Sequence, residues 1–219
     1  MALLGGTFDP VHYGHLRFAD EARRSLGLSE LRLVPARDPP HRAGPAASAA
    51  DRLAMLRLAV GEFPGLVVDE RELRRGGKSY TVLTLEELRK EDARRPQLLL
   101  VGADAFRGLP TWRRWRKLFA LAHLVVVARP GVALADALPD PLAAEWKSRL
   151  IGDPAILFSA PAGAIYEQRI SPQPISASMI RAQLERGDAG RSAVSALLPP
   201  AVLAYIERHH LYSPPPDAT

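Results

Sequence analysis

The chain of 219 residues contains no cysteine. That absence removes disulfides, a thiol nucleophile and every cysteine metal site, while saying little about redox compartment. No run reaches the roughly 18 apolar residues of a membrane-spanning helix, and the N-terminus leads into a motif without a signal-peptide pattern. A soluble, cytoplasmic protein with no membrane partner is the expectation. There is no internal repeat, and no third histidine clusters with His12 and His15, which together with the missing cysteine argues against zinc; no metal-ligating residues are expected. The 29 Lys and Arg against 24 Asp and Glu leave a net charge of +5 and a pI near 9.9. This favours anionic partners, but the arginines are scattered and nothing demands nucleic acid. The nearest approach to a basic stretch with interleaved aromatics, Trp112 to Lys117, reads by itself as an amphipathic helix with its basic positions in water.

What is present is concentrated near the start: Gly5-Gly6-Thr7-Phe8-Asp9-Pro10-Val11-His12-Tyr13-Gly14-His15. Gly5 and Gly6 lack Cβ, so the backbone can turn sharply and approach a phosphate, while amides at the following helix start carry partial positive charge. His12 and His15, three residues apart, share a face of one helical turn and can reach oxygens of one triphosphate. Each element alone reads as a turn or as surface histidines. The whole run, between a strand and a helix, reads as a nucleotide phosphate site. Ala2 to Leu4 supplies the strand, short for a central parallel one, so either it is truncated or the natural start lies upstream. Leu16, Phe18, Ala19, Ala22 and Leu26 approximate one helical face ending at Gly27.

Further along, apolar runs at Leu31 to Val34, Leu66 to Val68, Leu98 to Val101 and Leu124 to Val127 read as buried strands. Helical patterns at Arg52 to Val60 and Thr81 to Lys90 fall between them, which predicts βαβ units and a mostly parallel, doubly wound, Rossmann-like sheet. Its ligand belongs at the carboxyl ends of the strands, where the winding reverses. Pro35 to Ala50 and Pro130 to Pro141 read as long loops of the kind that serve as lids. Ala155 to Phe158 is a last strand candidate, followed by a small helical C-terminal part with helices at Ser178 to Arg186 and Ala201 to Arg208. One domain over 1–212 is expected, with a disordered tail at 213–219.

A second cluster, Ile175-Ser176-Ala177-Ser178-Met179-Ile180-Arg181, opens a helix with hydroxyl residues and sets Arg181 one turn inside. By itself it reads as an ordinary N-cap. Paired with the first cluster it reads as a second phosphate cradle. Together with Pro39-Pro40-His41-Arg42, Asp69-Glu70-Arg71-Glu72, Ser79-Tyr80-Thr81, Val101-Gly102-Ala103-Asp104, Pro110-Thr111-Trp112 and Ala128-Arg129-Pro130-Gly131, the pair closely resembles the bacterial nicotinate mononucleotide adenylyltransferases. These belong to the nucleotidyltransferase superfamily with a His-x-Gly-His signature, and the resemblance covers nearly the whole chain.

The resemblance implies that ATP and nicotinate mononucleotide are the substrates, with Mg²⁺ carried on the ATP phosphates. It puts Gly5, Gly6, Thr7, His12 and His15 on those phosphates, with Ser176, Ser178 and Arg181 closing from the other side; His12, His15 and Arg181 are the catalytic candidates. Gly102 and Asp104 would complete the ATP site, Asp104 accepting from ribose hydroxyls, although a helix cap is an equally ordinary use for it. Trp112 would stack on the pyridine ring rather than pack under Trp115. Backbone amides at Thr81 and Arg113 would bind the nicotinate carboxylate. Arg113 stands where relatives can carry an aromatic, and its guanidinium should further favour a carboxylate over a carboxamide. Arg129, and more weakly Arg42, are candidates for the mononucleotide phosphate. Ser178 replaces a frequent threonine and keeps the hydroxyl. The competing readings are an adenylyltransferase for nicotinamide mononucleotide or phosphopantetheine, a class I aminoacyl-tRNA synthetase fragment, and a catalytically silent nucleotide-binding regulator. The chain is too short for a tRNA-binding domain and lacks the lysine-rich second signature; intact His12, His15 and Arg181 speak against silence. Oligomeric state stays open.

Overall fold

The computed structural model describes residues 1–39, 44–128, 134–135, 138–171 and 173–213. In chain order, β1 (Ala2–Gly6), α1 (Tyr13–Ser25), β2 (Leu31–Pro35), α2 (Ala49–Val60) and β3 (Leu66–Val68) build the first half, followed by α3 (Arg71–Arg75) and α4 (Thr81–Glu91). The second half holds β4 (Leu98–Gly102), α5 (Ala103–Arg107), α6 (Leu118–Leu121), β5 (His123–Ala128), α7 (Asp140–Arg149), β6 (Leu150–Ile151) and β7 (Ile165–Arg169). The C-terminal helices are α8 (Ala177–Leu184), α9 (Asp188–Val194) and α10 (Pro200–Arg208).

The seven strands form one sheet in the order β3-β2-β1-β4-β5-β7-β6, and every pair is parallel. Strands in such a sheet are covered on both faces, which is why their sequences read as continuous apolar runs. Successive side chains divide the core in two. Ala2, Leu4, Leu98, Leu100, Val125 and Val127 pack under α1, α2, α8 and α10, while Leu3, Leu99, Val101, Leu124 and Val126 pack under α4, Phe106, Phe119 and Trp146. The fold is thus the α/β, doubly wound, Rossmann-like sheet that the alternating pattern predicts, with helices at the C-terminal end.

Several local expectations are corrected. Gly5 and Gly6 are not the turn: they complete β1, pairing with Val34 and Pro35, so the central strand is five residues long and the turn begins at Thr7. The expected strand over Ala155 to Phe158 is a 3-10 turn, because Pro154 starts it and the Asp153 carboxylate caps the Ala155 amide at 2.9 Å. Only Leu157 of that stretch is buried, with Ile156 and Phe158 exposed. Two strands go unannounced: β6, only two residues long, and β7, whose Glu167, Gln168 and Arg169 break the apolar signal near the sheet edge. The expected amphipathic helix over Trp112 to Lys117 is instead a pair of 3-10 turns, Leu109–Thr111 and Trp115–Lys117. Arg114 separates them in the left-handed region at φ 54°. The expected loop to Pro141 ends earlier, since α7 starts at Asp140 with Pro141 in its first turn, where the missing N–H costs nothing.

Candidate active site

The chain winds outward from β1 through β2 to β3, then returns across the sheet to β4 on the other side of β1. A crevice must open where the winding reverses, beyond the carboxyl ends of β1 and β4. It is a cleft of about 1100 Å³ there, lined by Gly5, Gly6, Thr7, His12 and His15 from the first motif, by Gly102 and Asp104 from β4–α5, and by Ser176, Ser178 and Arg181 from α8. A side pocket of about 290 Å³ shares Gly6, Thr7, Thr81 and Trp112 with the cleft and adds Tyr80 and Arg113.

The histidine wall is built by close packing. Phe8 turns back at φ 51° and is 1 % exposed. A Cβ on Gly6 would lie 2.8 to 3.1 Å from its ring carbons, so glycine there is what lets Phe8 fold under the strand. His12 is the extended N-cap residue of α1, and His15 follows inside the first turn. Their rings stack at 3.7 Å between centroids, and Phe8 meets His15 edge-on at 5.2 Å. Gly14 makes room for this: a Cβ would sit 2.8 Å from His12 Nδ1 and 3.2 Å from Ile175 Cβ. His12 is 4 % exposed, and its Nδ1 has no hydrogen-bond partner among the described residues. Burial lowers its pKa to about 4, leaving a neutral imidazole at pH 7.

Beside the first motif, Ser176 caps α8, its hydroxyl accepting the Met179 amide at 3.2 Å, so the ordinary capping role holds at the same place as the cradle. Arg181 Nη1 donates to the Asp9 main-chain oxygen at 2.7 Å. The buried Asp9 carboxylate accepts the Ala46 amide at 2.7 Å, the Ala47 amide at 3.1 Å and the Tyr212 hydroxyl at 2.7 Å. Arg52, 1 % exposed, donates to the carbonyls of Thr7, Ala36, Arg37 and Ala47. These bonds fix the loops after β1 and β2 that floor the site. Nothing in the sequence motifs marks this role for Asp9, Arg52 or Tyr212. For Arg52 a signal was there: it occupies the buried stripe of α2 with Met55, Leu56 and Ala59, where an arginine needs a reason.

On the far side, β4 ends at Gly102, which is itself the N-cap of α5. Asp104 is therefore not the cap: it lies in the first turn, its carboxylate 2.6 Å from Arg107 Nη1 and its side chain 92 % exposed. Tyr80 caps α4, so Thr81 is the first helical residue, whose amide no helical carbonyl can satisfy. Trp112 is half-buried and lines both cavities, whereas Trp115 packs edge-on to Phe119 in the core. The Arg113 guanidinium lies 4.7 Å from the Tyr80 ring centroid and makes no ion pair among the described residues. Arg42 and Arg129 lie outside the described residues. Among the described residues no cluster of three or more His, Asp and Glu could hold a metal, and no helix is long and apolar enough to cross a membrane.

A parallel sheet with two imidazoles and an arginine lining one cleft at its switch point defines a nucleotidyl-transfer class of protein, and residues 3–183 match the cytidylyltransferase-like family. The chain is 52 % identical over 202 residues to a probable nicotinate-nucleotide adenylyltransferase of Halorhodospira halophila, covering 92 % of this chain and 90 % of that one. It is 49 % identical to the probable nicotinate-nucleotide adenylyltransferase of Pseudomonas fluorescens, with 98 % of each covered. A solved structure of Plasmodium falciparum nicotinic acid mononucleotide adenylyltransferase complexed with NaAD superposes with a TM-score of 0.71 over 96 % of each chain, at 16 % identity, a likeness of fold. The chain belongs to the nicotinate-nucleotide adenylyltransferase family.

Proposed function

We propose that the protein transfers AMP from ATP to nicotinate mononucleotide, releasing pyrophosphate and forming nicotinate adenine dinucleotide on the route to NAD, in the cytoplasm and within one domain over 1–212. The observation that carries this reading is the continuity of the two cavities. The larger has imidazoles and a guanidinium for a triphosphate, and the smaller has an indole, the helix-start amide of Thr81 and a guanidinium for an aromatic acid.

In the reaction an oxygen of the mononucleotide 5′-phosphate attacks the α-phosphorus of ATP in line. The bond from that phosphorus to the bridging oxygen breaks, and its electron pair leaves on pyrophosphate. A phosphate is already a nucleophile at neutral pH, so the protein's task is to align two polyanions and to stabilise the charge that gathers on the leaving group. Gly5, Gly6 and Thr7 let the triphosphate lie against the end of β1. His12 and His15 donate to its oxygens; His12, neutral in the free protein, gains proton affinity as the phosphates arrive beside it. Arg181 supplies the fixed positive charge, with Ser176 and Ser178 on the same wall. Gly102 leaves open space where a Cβ would stand, for the adenosine to pass close, and Asp104, exposed at the mouth, accepts from its ribose. Trp112 stacks on the pyridine ring while the Thr81 and Arg113 amides hold the carboxylate, and Arg129 and Arg42 are assigned to the mononucleotide phosphate.

Asp9 is fully engaged and Asp104 is exposed beside Arg107, so the donor set that fits Mg²⁺ here is phosphate oxygen and water. Carried in on ATP, the ion would neutralise triphosphate charge. Pyrophosphate release from MgATP, compared with nicotinate and nicotinamide mononucleotide, tests the reading. Strong release with the acid alone is expected; comparable release with the amide would overturn the specificity, and none with either would overturn the reaction. Alanine at His12 or His15 should lower turnover by orders of magnitude in a folded protein.

A further inference from the structure

Beyond α10 the chain makes a tight return. The Leu211 amide bonds the Ile206 carbonyl at 3.0 Å and the His210 amide the Glu207 carbonyl at 3.2 Å. His210 and Tyr212 both sit in the left-handed region, at φ 51° and 57°, which disfavours residues with a Cβ. What the turn achieves is to carry the Tyr212 hydroxyl to Asp9 Oδ1, 203 residues away in sequence, at 2.7 Å. The ring packs against the α1, α8 and α10 side of the core. Burial and the bond to Asp9 both raise the phenol's pKa, so it is a permanent donor.

Asp9 sits at the one place where a carboxylate could spoil the phosphate wall. Its Oδ2 is 4.0 Å from Arg181 Nη1, a long ion-pair contact that a small swing of the guanidinium would shorten. The closer partners of the carboxylate are three neutral donors, the Ala46 and Ala47 amides and Tyr212. Arg181 binds the Asp9 main-chain oxygen and keeps 31 % of its side chain exposed toward the cleft, against 6 % for Asp9. An Oδ1 stripped of the hydroxyl would be a buried, under-satisfied anion. The Arg181 guanidinium, already 4.0 Å from Oδ2, is a cation placed to answer it.

We propose that Tyr212 is a positioning residue for ATP: by satisfying Asp9 it keeps the Arg181 guanidinium directed at the triphosphate instead of at the carboxylate. The C-terminal turn is thereby part of the phosphate site. The proposal rests on the ATP half of the functional reading alone and not on the identity of the acceptor.

The test is a double-mutant cycle read by MgATP affinity in titration calorimetry and by kcat, on wild type, Tyr212→Phe, Arg181→Lys and the double variant. Phe retains the ring packing, and thermal melting verifies that each variant is folded. Tyr212→Phe is expected to weaken ATP by about tenfold, the size of one lost hydrogen bond to a charged group, with the mononucleotide KM within about twofold of wild type. In the Arg181→Lys background, where no fork-shaped guanidinium remains to be redirected, the same change should cost less than about twofold. An equal loss in both backgrounds would make Tyr212 a purely structural residue, and no loss in either would remove it from the site; both overturn the proposal. A wild type that binds ATP but transfers nothing to nicotinate mononucleotide would refute the acceptor and leave this test intact.

Discussion

Gly14→Ala separates the geometry of the histidine wall from the stability of the fold. An added Cβ would meet His12 Nδ1 at 2.8 Å, His12 Cε1 at 2.9 Å and Ile175 Cβ at 3.2 Å. Ordinary contact begins near 3.4 Å, so the ring must move by about half an ångström. It has little room, because the other side is the His15 ring at 3.7 Å and Ile175 leans on the same helix turn. Overpacking and an off-rotamer imidazole cost about 1–3 kcal/mol. Alanine's advantage over glycine within a helix returns up to about 1 kcal/mol. The expected net is a loss of about 0–2 kcal/mol, a fall in melting temperature of a few degrees for a chain of this size. Activity should suffer far more, since a misplacement approaching 1 Å costs up to about a hundredfold. We expect kcat for pyrophosphate release to drop ten- to a hundredfold at saturating substrate, with the variant folded by circular dichroism. A Gly14→Ala protein with wild-type kcat would refute the claim that the ring's position against α1 matters to the reaction.

Three further outcomes follow from the same geometry. The folded pKa of His12, about 4, lies below the unfolded value of about 6.5, so the unfolded chain binds the extra proton between those pH values. Stability from this group is then full above about pH 6.5 and lost progressively toward pH 4, up to about 3 kcal/mol; urea unfolding at pH 7.5 and pH 5 should show a larger loss for wild type than for His12→Asn, and equal losses would contradict the burial argument. Trp112→Ala should raise the mononucleotide KM about ten- to thirtyfold, the loss of a stacked ring and its buried area, with ATP KM little changed; an unaltered mononucleotide KM would sink the stacking role. Arg113→Ala should reduce the preference for nicotinate over nicotinamide mononucleotide, in kcat/KM, by about three- to tenfold, as for one partly exposed charge contact, and an unchanged ratio would leave selection to the amides alone.

The sheet was legible because it is buried on both faces: Leu98 to Val101 and Leu124 to Val127 carry little but apolar side chains, and a parallel central strand requires that. β7 was not, because Glu167, Gln168 and Arg169 sit near the edge, where one row of buried contacts suffices. Trp112 to Lys117 reads as an amphipathic helix, yet Arg114 is left-handed between two 3-10 turns while Trp115 and Leu118 pack in the core, a tertiary arrangement that local spacing does not encode. At the site, the candidate residues were legible by type and spacing, and all of those in the described parts line the two cavities. The residues that hold them were less so. Asp9 stood inside the motif without a stated partner, and its partners Ala46, Ala47 and Tyr212 are remote in sequence. Arg52 was hidden in a helix although its place on an apolar stripe marked it.

The stacked imidazoles clarify how the wall can carry charge at all. Two imidazolium rings 3.7 Å apart would repel strongly in a poorly solvated place, and burial keeps His12 neutral. The permanent positive charge facing the triphosphate must then come from a group that cannot lose its proton, which among the cleft residues of the motifs is Arg181. Histidines contribute directed donors, and the guanidinium contributes the field. Such a division of labour places a strict demand on where that guanidinium points. Its direction is set by one hydrogen bond to the Asp9 main-chain oxygen, and that bond is preferred over the neighbouring carboxylate only while the carboxylate is satisfied by other donors. The motif at the start of the chain, the helix carrying Arg181 and the turn after α10 therefore form one electrostatic unit. Substitutions in the last of these should be read as changes to ATP binding before they are read as changes to folding.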